Sequence, residues 1–117
     1  SASIYVADEL LREGVELHVF DPMVKAEQIH QDLTNLWQAR NETVNTISAR
    51  LSNCIFHDNP TNALVKTYAA AILTEWDEFI SYDWEAIAEQ MMPEAMVFDG
   101  RNITYPNEKV NQYFLGK

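Results

Sequence analysis

Thr67-Tyr68-Ala69-Ala70-Ala71-Ile72-Leu73 sits at the centre of the chain's pattern of helices and strands. It is a near-continuous apolar run, the mark of a strand covered on both faces, as in a parallel sheet. Its three alanines would also suit a helix. Upstream, Asn53-Cys54-Ile55-Phe56-His57 reads as a short strand that Asp58-Asn59-Pro60 breaks, with residues 61–66 as a short helix or turn. Further upstream, Val15-Glu16-Leu17-His18-Val19-Phe20 alternates as a strand does, with Val15, Leu17 and Val19 on one face, before Asp21-Pro22 turns the chain. Two helical patterns flank that strand. In residues 3–13, Ile4, Ala7, Leu10 and Leu11 form one stripe, with Ser3 as a cap and Gly14 as a left-handed stop. In residues 24–38, Ile29, Leu33, Leu36 and Trp37 share a face. Residues 39–50 are polar without a sharp period and read as a loop with helical ends.

Downstream of the run, Thr74-Glu75-Trp76-Asp77 is expected to be a loop. Residues 83–91 are helical, with Trp84, Ile87, Ala88 and Met91 at helical spacing, and Pro93 ends them. Residues 95–99 form a strand running into Gly100-Arg101. Residues 107–115 hold a short helical turn and a final short strand at Tyr113-Phe114-Leu115. Helices alternate with short apolar strands throughout, which points to an α/β domain with a mostly parallel sheet and crossover helices. In such sheets ligands sit outside the carboxyl ends of the strands. Those ends carry Asp21, His57, Thr74-Glu75-Trp76 and Asp99-Gly100-Arg101.

The 117 residues suffice for one domain, and 47% apolar residues can bury a core. Eight Lys plus Arg against eighteen Asp plus Glu give a formal charge of −10, which disfavours nucleic acid as a partner. A small anion such as a nucleotide binds such a chain only where local donors overcome the global field. One cysteine, Cys54, excludes an intrachain disulfide and fits a reducing, cytoplasmic compartment. No apolar run approaches the roughly 20 residues that span a bilayer, and no signal-peptide pattern opens the chain. The two sequons, at Asn41 and Asn102, carry no meaning in a cytosolic setting.

Among candidate site residues, Arg101 stands out. It follows a strand end and a glycine, where a guanidinium reaches into the crevice and suits bidentate contacts with phosphate or sugar oxygens. The plain alternative is a surface arginine paired with one of the many acids. Cys54, in a strand, reads as a small buried hydrophobe rather than a nucleophile. His18, His30 and His57 are scattered without metal-ligand spacing. Glu75 and Asp77 flank Trp76. Turn-capping and packing account for them better than acid/base work does. Asp21 sits where dinucleotide folds place a ribose-binding acid, but without a glycine loop Asp21-Pro22 is turn chemistry.

Three segments in order carry a resemblance: Gly14-Val-Glu-Leu-His-Val-Phe-Asp-Pro22, Thr74-Glu75-Trp76-Asp77-Glu78-Phe79, and Phe98-Asp99-Gly100-Arg101-Asn102. Together they resemble the C-terminal domain of the UDP-glucose/GDP-mannose dehydrogenase family, in its UDP-glucose branch. The resemblance covers nearly all of residues 1–104 and fades after Tyr105. It implies a Rossmann-like UDP-sugar-binding domain over residues 1–117 of an NAD-dependent enzyme that oxidises UDP-glucose to UDP-glucuronate. In that family the arginine matching Arg101 contacts the UDP-sugar.

The same resemblance implies that NAD and the nucleophilic cysteine, in a G-F-G-G-x-C-type motif, belong to other regions of the parent. The chain has no G-x-G-x-x-G, its only glycines being Gly14, Gly100 and Gly116. The family's domain opens with a strand and a Lys-bearing G-F-x-F-K-x-x-T-x-D-x-R segment, expected just before Ser1 and absent from the sequence. On this reading the first, central strand is missing. Residues 15–20 and 67–73 would flank its slot without pairing with each other, the slot being filled by an upstream segment or a neighbouring chain. A homo-oligomer built through the parent's central helices is implied. The alternative function is a non-catalytic interaction or scaffold domain that kept this fold.

Overall fold

The computed structural model describes residues 2–74, 77–102 and 104–114. The chain divides into two compact units, one ending at Asp58 and the other starting at Asn59.

In the first unit, helix α1 (Ala2–Arg12) forms on the expected stripe, with Leu11 buried and Ile4 and Ala7 packed against the same core. Gly14 follows at φ 85°, a left-handed conformation that a side chain would strain. Ser3 lies inside this helix instead of capping it. Strand β1 (Leu17–Val19) leads to α2 (Ala26–Ala39), α3 (Val44–Ser52) and β2 (Cys54–Phe56). The two strands pair in parallel, Leu17 opposite Cys54 and Val19 opposite Phe56. Leu11, Leu33, Trp37, Ile47 and Cys54 make the core. Complete burial of a leucine such as Leu33 contributes about 1.5–3 kcal/mol.

Helix α3 corrects the loop expected over residues 39–50. The Thr43 hydroxyl accepts the Thr46 N–H and so starts a helix. Ile47 is buried and Leu51 packs one turn later. Two apolar positions at i and i+4 are enough once a cap and a core are supplied, although they leave no visible period.

In the second unit, α4 (Pro60–Leu64) starts at Asn59, whose side chain accepts the N–H groups of Thr61 and Asn62. Strand β3 (Ala69–Ile72), a 3₁₀ turn at Asp77–Phe79, helix α5 (Trp84–Gln90), β4 (Met96–Asp99) and β5 (Gln112–Phe114) follow. The run at 67–73 is therefore a strand. All pairings are parallel, in the order β3-β4-β5, with Ala71 opposite Phe98 and Phe98 opposite Tyr113. Parallel neighbours joined through helices between β1 and β2 and between β3 and β4, with a loop alone between β4 and β5, make the fold α/β and Rossmann-like.

One expectation about β3 is corrected. Ala70, Ile72, Val97 and Asp99 are buried, but Ala69, Ala71, Met96 and Phe98 are exposed. The run is covered on one face instead of two. An apolar composition equips both faces for burial, and only the packing of other elements decides which face is used.

Candidate functional site

Strand alternation puts Val97 and Asp99 on the buried face of β4, and Asp99 has no exposed surface. A carboxylate there must find donors, because desolvating it unpaired costs several kcal/mol. It finds them in the loop that follows. Its Oδ1 accepts the Arg101 N–H at 3.1 Å, and its Oδ2 accepts the Thr104 N–H at 2.7 Å and the Thr104 hydroxyl at 2.6 Å. The chain thus closes back on its own strand end within five residues.

Gly100 fixes the direction of that closure. Its N–H donates to the Ile72 carbonyl at 3.0 Å, tying the loop to the carboxyl end of β3. A Cβ at Gly100 would lie 3.0 Å from that carbonyl oxygen and 3.3 Å from the Phe98 ring, a fit so close that one of them must give by a few tenths of an ångström. Asn102 takes a left-handed φ of 56°, which an asparagine tolerates better than most residues. Arg101, exposed, stands between these two turn positions at the carboxyl end of β4. This is the edge of a parallel sheet where ligands bind. A guanidinium there, held by an ordered backbone, is suited to an anionic or polyhydroxylated ligand.

The loop is braced further out. The Thr104 hydroxyl also accepts Gln112 Nε2 at 3.1 Å, and Gln112 Oε1 accepts the Asn107 N–H at 2.8 Å. Asn107 Nδ2 donates to Glu85 Oε1 at 2.8 Å, which joins α5 to the same chain of bonds. Thr104 and Gln112 were not singled out from the sequence, and Asp99 was named there only as part of a strand end. The signal for Asp99 was there: alternation from Val97 places a carboxylate on an apolar face.

The remaining candidates fall elsewhere. Asp21 Oδ1 accepts the N–H groups of Met23 and Val24, as turn chemistry requires. Cys54 is buried in the first unit's core, and burial pushes its thiol up to about 11, which keeps it a thiol at neutral pH. Asp77 opens the 3₁₀ turn, while Glu75 and Trp76 lie outside the described residues.

The histidines at 18 and 57, 39 positions apart, are brought together. His18 Nδ1 lies 2.8 Å from His57 Nε2, with the rings stacked. Glu16 Oε1 lies 2.8 Å from His18 Nε2. Since a carboxylate only accepts, His18 donates to Glu16 from Nε2, and the tautomer of the pair sets which ring donates between His18 Nδ1 and His57 Nε2. Parallel pairing of β1 with β2 causes this contact, which no spacing in the sequence announced. Among the described residues no group of three or more metal-ligating side chains occurs. None of the described helices is long and apolar enough to cross a membrane.

A sequence model of the UDP-glucose/GDP-mannose dehydrogenase family, UDP binding domain, matches residues 1–106. The chain is similar to a UDP-glucose 6-dehydrogenase of Drosophila melanogaster, 38% identical over 88% of this chain and 21% of that protein. It is similar to the Bos taurus UDP-glucose 6-dehydrogenase, 38% identical over 88% of this chain and 20% of that protein. The Oryza sativa UDP-glucose 6-dehydrogenase 5 is 31% identical over 98% of this chain and 25% of its own length. The chain thus spans about a fifth to a quarter of the curated relatives it matches. Among solved structures, M. tuberculosis FadB2 matches with a TM-score of 0.69 at 17% identity, over 95% of this chain and 44% of that one, a likeness of fold.

Proposed function

The chain belongs to the UDP-glucose/GDP-mannose dehydrogenase family, as its UDP binding domain, and from that premise we propose that it holds UDP-glucose for an NAD-dependent UDP-glucose 6-dehydrogenase. The product of that parent is UDP-glucuronate. The observation that carries the reading is Arg101, presented by a braced loop at the carboxyl end of β4 inside the matched segment. On a surface of net charge −10, the cation must act locally, and a backbone already ordered around it lowers the cost of ligand capture.

The residues present do not fit NAD. A dinucleotide needs a glycine-rich turn between a strand and a helix to seat its pyrophosphate. The turn after β1 carries Asp21 and Pro22 instead, and the Asp21 carboxylate accepts the N–H groups of Met23 and Val24. NAD and the covalent chemistry are assigned to other parts of the parent. With its thiol kept protonated by burial, Cys54 supplies no nucleophile.

In the full-length protein, Arg101→Ala is expected to raise KM for UDP-glucose about ten- to a hundredfold, the loss of one charge-assisted contact, with little change in KM for NAD. Steady-state kinetics with each substrate varied in turn measures this. Unchanged constants for both substrates would remove Arg101 from the site.

A further inference from the structure

We propose that Asp99 and Thr104 are positioning residues, which fix where Arg101 presents its guanidinium to the nucleotide sugar. The inference rests on the reading of Arg101 given above and adds the side chains through which its loop is held. Asp99 is a fully buried carboxylate on an otherwise apolar strand face, a costly placement that packing alone does not require. Both of its oxygens point along the chain to the residues that bracket Arg101. One receives the N–H of Arg101 itself, and the other receives two donors from Thr104.

Thr104 is equally buried, and its hydroxyl both donates to Asp99 and accepts from Gln112. That hydroxyl is the joint between the loop and strand β5, whose Gln112 lies opposite Val97 in the ladder. Together with the Gly100 N–H on the Ile72 carbonyl, these bonds hold the backbone on both sides of Arg101 to the strand ends. Loosening the joint leaves the guanidinium present but spread over more positions. Affinity for the ligand then falls because the ordering has to be done on binding. The chemical step, which involves groups outside this loop, is untouched.

The test uses the full-length protein. Thr104→Val keeps the shape and removes the hydroxyl, and Thr104→Ser restores it. Thr104→Val is expected to raise KM for UDP-glucose about three- to tenfold, with kcat and KM for NAD near the parent values, and Thr104→Ser to return KM to within about twofold. On an Arg101→Ala background, Thr104→Val should add almost nothing, because a residue acting through Arg101 has no further effect once Arg101 is gone. Asp99→Asn, which turns an N–H toward the loop donors, should give the same pattern if Thr104→Val folds poorly. A KM unmoved by these variants, or a factor that persists in full without Arg101, overturns the inference while leaving Arg101 in place. An Arg101→Ala protein with unchanged KM sinks the site reading itself, and this inference with it.

Discussion

Asp8 gathers donors from α1 and from the end of α2. Trp37 Nε1 donates to it at 2.8 Å, Arg40 Nη1 at 2.9 Å, and Arg12 Nε, one helical turn away, at 3.1 Å. Burial by itself raises the pKa of this carboxyl, but the bonds from Trp37, Arg40 and Arg12 outweigh it and hold the group below its ordinary 3.8. A carboxylate with a depressed folded pKa stabilises the protein fully above its unfolded value. The contribution is lost as pH falls through the folded one. Asp8→Ala is therefore expected to lower stability by about 2–4 kcal/mol at pH 7, because it strands a buried indole N–H and uncouples two arginines. The deficit should shrink as pH drops below about 4, the range in which the parent's own Asp8 protonates. Denaturant titrations of both proteins at pH 7 and pH 3 check it, and equal midpoints at pH 7 would show the cluster to be inert.

At the scale of the element, α3 combines a capping hydroxyl with two apolar positions that reach the core. Thr43 caps its first turn, and Arg50 near its end donates to Glu42 and lies 5.2 Å from the centre of the Trp37 ring. Thr43→Ala should cost about 1 kcal/mol, the usual value of a lost N-cap, read as a lower denaturation midpoint. Thr43→Asp should retain most of it. An alanine variant as stable as the parent would mean that packing of Ile47 and Leu51 carries the helix unaided. Most other elements were legible because their apolar residues recur at helical or strand spacing. Leu33 and Trp37 mark α2 in this way, and Val97 marks β4. Helix α3 was not, because a cap is a single residue and leaves no period.

Two units, each with its own parallel sheet, make up the molecule, and neither carries a glycine loop for a dinucleotide. Residues 1–117 by themselves are expected to give no NAD reduction with UDP-glucose, since the one thiol is buried and held protonated. Absorbance of the reduced nicotinamide measures it, and turnover above a no-enzyme control would overturn the assignment of the chemistry to other parts of the parent. Arg101 was legible at this scale as a cation placed just past a strand end. The loop that presents it was not, since its bonds reach forward to Thr104 and, through it, to Gln112.

The alternation of helices with short apolar strands, hence parallel pairing, can be read along the chain, as can the segment from Phe98 to Asn102 that puts a cation at a strand's carboxyl end. These are local properties: a side chain's face follows from its position along a helix or strand. The folded chain alone brings His57 to His18, Asp8 to Trp37 and Arg40, and Gln112 to Thr104, and leaves one face of β3 exposed. Each of these depends on which distant segments pack side by side. Chain register and packing set that, and no periodicity within either partner encodes it.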